Sequence, residues 1–147
     1  MMKTSKGFTL AEMMVVIGIV GILGALSFSS YYTVRKVRDV QVAAQKTSDT
    51  ILRARSYAIS PKNMGVSSVW VNVITSPTKK LTVTENSALG ARIFESTLPS
   101  SITISGGPIS FNASGQTAKK SLVLTGPTGE SYKVNVFQNG SVDVKKN

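Results

Sequence analysis

The apolar residues of this chain are concentrated near its N-terminus. Residues 8–28 read F-T-L-A-E-M-M-V-V-I-G-I-V-G-I-L-G-A-L-S-F, and Glu12 is the only charged residue among them. As an α-helix this stretch is roughly 31 Å long, which matches the ~30 Å hydrocarbon core of a bilayer. The pattern predicts a helix over residues 8–28 that crosses a membrane once.

A second helical pattern follows over residues 29–60, with a different chemistry. One mostly apolar stripe recurs at alternating steps of three and four residues, and most charged residues lie off it. The stripe consists of Val37, Val40, Ala44, Thr47, Ile51, Ala54 and Ala58. Because Pro61 disfavours a continuation, we expect a single helix from about residue 9 to residue 59 or 60.

Residues 61–147 alternate short apolar runs with turn residues, which is typical of β structure. The predicted strands cover residues 66–75, 81–85, 92–95, 102–105, 109–113, 122–125, 132–137 and 142–145. The dipeptide Asn139-Gly140 is the favoured two-residue turn of a hairpin. We therefore expect an α+β fold in which a long N-terminal helix packs against antiparallel β-sheets, with residues 29–60 and 61–147 in one domain.

The composition removes most enzyme chemistry. The 147 residues include no cysteine and no histidine. Thiol nucleophiles, the usual zinc ligands and the commonest general base are therefore missing. The sequence has no G-x-S-x-G elbow, and the segment G-P-T-G-E-S at residues 126–131 lacks the lysine of a phosphate loop. We expect no enzymatic activity, no catalytic residue, no metal and no cofactor.

The chain is strongly basic, with 17 Lys and Arg against 7 Asp and Glu and a formal net charge of +10. Such a balance favours association with nucleic acid, anionic lipid or acidic partners. Lys119, Lys120, Lys145 and Lys146 are the candidates for contacts with nucleic-acid phosphates. A solvated basic surface is the alternative interpretation of the same four lysines.

The N-terminus does not follow the order of a secretory signal, in which the cleavage site comes after the apolar region. Here a polar leader, M-M-K-T-S-K-G, precedes the apolar run, and the junction reads K-G-F-T-L-A-E. This junction resembles the prepilin cleavage and methylation motif of type IV pilins and type II secretion pseudopilins. The resemblance implies a prepilin leader at residues 1–7. It also implies cleavage between Gly7 and Phe8 and N-methylation of Phe8, both by a prepilin peptidase.

Glu12 is the fifth residue of the chain that this cleavage leaves. A charged side chain inside an apolar membrane helix costs a few kcal/mol. In the family this carboxylate contacts the N-terminal amine of a neighbouring subunit, so the resemblance implies an assembly role for Glu12, opposite the amine of Phe8. The alternative is that Glu12 stays hydrated near the lipid headgroups, and the two can hold at different stages.

Later segments are similar to the GspH/FimT class of minor pilins and pseudopilins. They read I-L-R-A-R-S-Y-A-I-S at residues 51–60, I-S-F-N-A-S-G at 109–115 and Y-K-V-N-V-F-Q-N-G-S-V-D-V at 132–144. The resemblance implies a pilin fold and a structural subunit. The subunit would enter the inner membrane as a single-pass precursor. It would then join other pilin or pseudopilin subunits in a type IV pilus or type II secretion pseudopilus, at the cell surface or in the periplasm.

Two alternatives stay open. FimT-like subunits of competence pili bind DNA near the C-terminal hairpin, and the four lysines named above would serve such a role. The residues after Gly140 read S-V-D, however, without the arginines of such binders. The second alternative is a secretory cleavage site at residues 25–27, A-L-S, which would discard everything before Phe28.

Overall fold

The structure is a computed structural model that describes residues 7–60 and 65–147, with the side chains of residues 26–30 excepted. It contains one helix, α1 (Leu10–Ile59), and eight strands in the described residues. The strands are β1 (Ser68–Ile74), β2 (Lys80–Glu85), β3 (Arg92–Thr97), β4 (Thr103–Ser105), β5 (Ile109–Asn112), β6 (Lys120–Thr125), β7 (Ser131–Val136) and β8 (Val142–Lys146). The predicted helix is confirmed, and every predicted strand is present to within two residues at either end. Pro61, which the predicted helix end relied on, lies outside the described residues.

The strands form two antiparallel four-stranded sheets. The first sheet has the order β3-β2-β1-β5 and the second has the order β4-β6-β7-β8. The chain builds three consecutive strands of the first sheet, supplies β4 to the second sheet and returns to the first for β5. It then completes the second sheet with β6, β7 and β8. The observed architecture is therefore α+β, a long N-terminal helix with antiparallel sheets, as predicted.

The chain divides into two compact units, Met1–Arg35 and Lys36–Asn147. In the described part of the first unit, the large apolar side chains of the helix are exposed, for example Leu10 at 79% and Ile17 at 70%. Nowhere in the described part of the chain is a helix both long and apolar enough to cross a membrane. The structure thus does not show the membrane crossing predicted at residues 8–28.

In the second unit, α1 buries the predicted stripe from Val40 to Ala58, whereas Val37 at its start is only half-buried. The buried helix residues are Val40, Ala43, Ala44, Thr47, Thr50, Ile51, Ala54 and Ala58. The hydroxyls of Thr47 and Thr50 each donate to a carbonyl one helical turn earlier, both at 2.8 Å. These two bonds satisfy the threonine hydroxyls inside the core, where an unpaired polar group would be costly. Small side chains dominate the stripe, and they form one core cluster with the buried strand residues.

Alternate residues of the strands supply the rest of the core. In β1, Val69 and Val71 are buried while Trp70 between them points outward. The buried apolar residues of the strands and loops are Val69, Val71, Leu81, Val83, Leu98, Ile102, Ile104, Ile109, Phe111, Leu122, Leu124, Val134 and Val136. This period of two places one face of a strand in the core, and β2 is the exception because its residues 81–84 are all buried.

Polar side chains on the outer part of α1 connect it to the first sheet. The Lys46 ammonium donates to the carbonyl of Thr97 at 2.9 Å. The guanidinium carbon of Arg53 lies 5.2 Å from the ring centroid of Phe94 on β3, within the range of a cation–π contact. Edge strand β3 is therefore held by the helix as well as by β2.

Arg55 connects α1 to two turns of the second unit. Its Nε donates to the carbonyl of Gly115 at 3.2 Å. A Cβ on Gly140 would overlap both Arg55 Nε and the Gly115 carbonyl, so these three residues are in close contact. Both glycines have positive φ, +71° at Gly115 and +76° at Gly140, a conformation that other residues rarely adopt. Glycine is required at position 140 for space and for backbone conformation.

The turn at Asn139-Gly140 is longer than predicted. Val136 pairs with Val142, and the Phe137 N–H donates to the Ser141 carbonyl at 3.0 Å, which leaves residues 138–140 as the connection. A two-residue type I′ turn needs positive φ at both positions, and only Gly140 has it. Asn139 instead accepts a hydrogen bond from the Ser141 N–H through its Oδ1 atom at 3.0 Å. The prediction of a hairpin is confirmed, but its two-residue turn is wrong.

We predict that a chain beginning at residue 29 folds as a soluble monomer. Every buried apolar residue of the described core lies at or after Val40, so the deletion removes none of them. Circular dichroism should show mixed helix and sheet, and sedimentation should give a single monomeric species. An unfolded or heavily aggregated product would contradict this boundary.

We predict that Gly140→Ala destabilises the fold more than Gly129→Ala does. Gly129 also has positive φ, +91°, but an added Cβ there meets no atom within 4 Å. The Gly129 variant should therefore lose only the conformational term, about 1–2 kcal/mol. Gly140→Ala should lose about 1–3 kcal/mol more because its Cβ has no room. Urea unfolding of both variants measures the difference, and equal losses would show that the Arg55 contact relaxes without cost.

Candidate functional site

The predicted cleavage junction lies in an exposed, non-helical segment before α1. Gly7 is exposed, and a Cβ built on it would meet no atom within 4 Å. Phe8 is 77% exposed, so its large apolar ring is not packed into the described chain. Lys6 and the rest of the predicted leader fall outside the described residues. No contact within the described chain requires glycine at position 7.

Thr9 and Glu12 form a capping box at the start of α1. Glu12 Oε2 accepts hydrogen bonds from the Thr9 backbone N–H and from the Thr9 hydroxyl, both at 2.8 Å. The Glu12 N–H in turn donates to Thr9 Oγ1 at 3.3 Å. The first helical backbone bond runs from the Met13 N–H to the Thr9 carbonyl, also at 3.3 Å. Thr9 is therefore the N-cap, and the helix begins directly after the Gly7-Phe8 junction.

The capping box is a role of Glu12 that our sequence reasoning missed. The signal was present, because T-L-A-E before an apolar run fits the pattern of Ser or Thr followed three residues later by Glu or Gln. A carboxylate in the first turn also interacts favourably with the positive end of the helix dipole. The hydrogen bonds with Thr9 thus offset part of the cost of a charge beside an apolar segment.

The geometry leaves Glu12 able to bind a second group. The Glu12 carboxylate accepts both of its hydrogen bonds from Thr9 through Oε2. The other carboxylate oxygen, Oε1, has no partner among the described residues. The bonds to Thr9 also fix the side chain beside the first residues of the chain that cleavage would produce. A carboxylate held in this way can accept a hydrogen bond from a cation such as an amine.

The described helix around this site carries an exposed apolar surface. The exposed large side chains in residues 8–23 are Phe8, Leu10, Met13, Met14, Val15, Val16, Ile17, Ile19, Val20, Ile22 and Leu23, at 49–79% exposure. A Cβ on Gly18, Gly21 or Gly24 would meet no atom within 4 Å, so these glycines are open to an external neighbour. Contiguous apolar surface of this extent marks an interaction or membrane site.

The structure does not bring the four candidate lysines together. Lys120 begins β6 opposite Val136, whereas Lys146 ends β8 opposite Tyr132, about four residues or ~13 Å further along the sheet. Strand β7 also separates the two strands. The geometry therefore gives no support to a single phosphate-binding patch made by all four lysines.

Two of these lysines are engaged within the chain. The Lys120 ammonium donates to the Pro108 carbonyl at 2.6 Å, and the Lys145 ammonium lies 3.5 Å from an Asp143 carboxylate oxygen. Lys119 and Lys146 are exposed. Within the described ranges, no group of three or more histidine, cysteine or acidic side chains could hold a metal ion.

One family model matches the chain: residues 2–28 match the prokaryotic N-terminal methylation motif. The match covers the predicted cleavage junction, Glu12 and the apolar run, and leaves the eight strands outside it. It supports a type IV pilin-like chain that a prepilin peptidase processes. No curated protein and no solved structure matches the chain.

Proposed function

We propose that this chain is a structural subunit of a type IV pilin-like filament rather than an enzyme. The observation that carries the proposal is the N-terminal methylation motif over residues 2–28. Its Gly7-Phe8 junction is exposed and is followed at once by a capped helix, which suits cleavage by an external peptidase. Prepilin peptidase is therefore the first partner, cutting after Gly7 and methylating the new amine of Phe8.

The precursor is anchored in the inner membrane through residues 8–28 before it joins a filament. The support is the run of apolar residues in which Glu12 is the only charge, together with the exposure of the described apolar side chains. Surface of this kind needs lipid or other subunits to cover it. On assembly, contacts with neighbouring subunits replace contacts with lipid. The apolar helices of these subunits pack together in the core of a filament at the cell surface or in the periplasm.

Within this family we place the chain in the GspH/FimT class of minor pilins and pseudopilins, serving a type IV pilus or a type II secretion pseudopilus. The support is the sequence pattern at the helix end and in the last strands. The two four-stranded antiparallel sheets beside a long helix are consistent with it.

In the filament, Glu12 pairs with the N-terminal amine of Phe8 in a neighbouring subunit. The capping box supports this role because it fixes the carboxylate in advance and leaves Oε1 open. Pre-organisation lowers the entropic cost of forming the contact. The amine exists only after cleavage, so processing and assembly are coupled through one pair of charges.

Co-expression with a prepilin peptidase should remove residues 1–7 and leave an N-methylated chain that begins at Phe8. Gly7→Val should abolish cleavage because the added side chain keeps the backbone away from the peptidase. Gly21→Val is the matched control, since a side chain there also meets open space but lies away from the junction. Intact-mass spectrometry measures all three chains. A wild-type mature chain beginning at Phe28 would overturn the proposal in favour of secretory cleavage.

Glu12→Ala and Glu12→Gln should both enter filaments poorly, although they differ at the cap. Glutamine keeps the capping box, whereas alanine removes it at a cost of about 1 kcal/mol. Both remove the charge that faces the neighbouring amine, and both leave cleavage at Gly7 unchanged. Immunoblots of membrane and sheared-filament fractions measure incorporation.

The two variants separate the roles of Glu12. Wild-type incorporation of Glu12→Gln with failure of Glu12→Ala would assign Glu12 to helix capping alone. Equal incorporation of both variants and the wild type would show that the apolar surface alone drives assembly.

A further inference from the structure

The single tryptophan of the chain lies on the outer face of the first sheet. Trp70 is half-buried and sits between Thr84 on β2 and Ser110 on β5 in the register of the sheet. Its neighbours along β1, Val69 and Val71, point into the core. The core does not use this side chain, and the proposed filament role does not use it either.

The indole ring forms one wall of a shallow open depression of about 360 Å³. Trp70 Nε1 donates to the hydroxyl of Ser68 at 3.2 Å, which fixes the orientation of the ring. The residues beside the ring on the β5 side are short and polar, with Ser110 directly opposite Trp70 and Asn112 opposite Ser68. Short neighbours do not cover a ring of this size, so part of the indole is available to a ligand.

Two further depressions lie toward the C-terminal hairpin and share lining residues in series with the first, and the three together are called the groove. Gln116 and Thr117 line both the Trp70 depression and a second one of about 400 Å³. Gln138 and Asn139 line the second depression and a third of about 590 Å³, which ends at Phe137. The Thr117 N–H donates to the Gln138 carbonyl at 3.1 Å and so joins the two loop segments.

The groove has an aromatic ring at each end and polar side chains between them. Phe137 at the far end is 38% exposed. The hydroxyl of Ser110 and the side-chain amide of Gln116 make no hydrogen bond within the described part of the chain. Asn112 Oδ1 accepts from the backbone N–H groups of Ser114 and Gln116, at 3.1 and 2.9 Å, which leaves the Asn112 amino group to donate outward.

The groove is almost uncharged, although the chain as a whole carries a formal charge of +10. Lys119, beside Phe137, is the one charged residue among those that line it in the described structure. The charges on this face of the first sheet lie nearer its other edge, where Lys80 and Arg92 both donate to Glu95 Oε2 at 3.0 and 2.9 Å. The hydrogen bond from Lys80 is the main reason that the pKa of the Glu95 carboxyl is lowered.

The aromatic rings and the neutral polar lining of the groove indicate which class of ligand it fits. A groove for single-stranded nucleic acid also uses aromatic rings, but it follows the phosphate backbone with positive charge. This groove offers hydroxyls and carboxamides, which are neutral donors and acceptors, between two rings. A pyranose presents an apolar C–H face that packs on an indole and a rim of hydroxyls that bond to such groups.

We infer that the groove from Trp70 to Phe137 binds a linear, neutral oligosaccharide. One sugar ring packs on the indole of Trp70, and Ser110, Asn112 and Gln116 bond to its hydroxyl or acetamido groups. The chain of sugars runs past Thr117 and Gln138, so that a later ring reaches Phe137. This inference does not depend on the proposed processing or assembly of the N-terminal helix.

The full-length chain in micelles of a detergent without a sugar headgroup allows a direct test. Because Trp70 is the single tryptophan, intrinsic fluorescence reports on the groove itself. The probes are the tetrasaccharides of chitin and of cellulose, with oligothymidine as the nucleic-acid probe. We expect a saturable change with at least one tetrasaccharide, with a Kd on the order of 1 mM or tighter, and no dependence on salt.

Variants test the residues that make the contacts. Gln116→Ala should weaken the tetrasaccharide affinity by about 3- to 10-fold through the loss of a hydrogen bond. The matched control is Gln45→Ala, an exposed glutamine on α1, which should leave the affinity unchanged. Trp70→Phe should weaken binding further, as measured by saturation-transfer NMR on the sugar protons, with circular dichroism showing that the fold is retained.

The possible outcomes are distinct. No saturable change with either tetrasaccharide would overturn the inference. So would equal effects of the Gln116 and Gln45 variants. Oligothymidine binding that perturbs Trp70 and falls steeply with salt would reassign the groove to single-stranded nucleic acid. Mass spectrometry of the mature N-terminus is independent of all these results, so a failure here leaves the proposed filament role intact.

Discussion

The fold depends on the close packing of small side chains along the second half of α1. The stripe from Val40 to Ala58 is built mainly of alanine, threonine and β-branched residues, and it is almost completely buried. Short helix side chains therefore make up much of the core that α1 forms with the buried strand residues. Beyond the stripe, the side chain of Arg55 meets Gly115 and Gly140, and the space it takes together with the positive φ of both residues explains why these two turns need glycine.

The two halves of the helix differ in how far their side chains are buried. From residue 40 onward the helix belongs to the core of the second unit, and its buried polar groups satisfy themselves through bonds such as that from the Thr47 hydroxyl to the Ala43 carbonyl. In the first unit, the described large apolar side chains are exposed instead of buried in a core. Helix α1 thus contributes one segment to the core of the second unit and another whose described apolar side chains are exposed.

Periodicity in the sequence was enough to predict the helix, all eight strands and the α+β class, because apolar spacing is a local property that the core requires. The length of the turn at Asn139 was not predictable in the same way, since it depends on whether one side chain adopts positive φ or bonds to Ser141. The capping box, in contrast, is a local pattern, Thr followed three residues later by Glu, and T-L-A-E was enough to predict it. The separation of Lys120 from Lys146 follows from the order of the strands in the second sheet. The spacing of residues along the sequence does not predict that order. The groove beside Trp70 likewise joins β1 to loops 40 and more residues away in sequence.

The position of β8 at one edge of the second sheet has a consequence for crowding. An unpaired strand edge can pair with the edge of another copy and start open-ended aggregation, and lysines on an edge strand oppose this by mutual repulsion and hydration. Lys145 and Lys146 lie on β8, and the opposite edge, β4, is only three residues long. Subunits held side by side at high local concentration therefore gain little by extending one another's sheets. The basic C-terminal strand protects the solubility of the β-rich part while the apolar helix surface determines how copies associate.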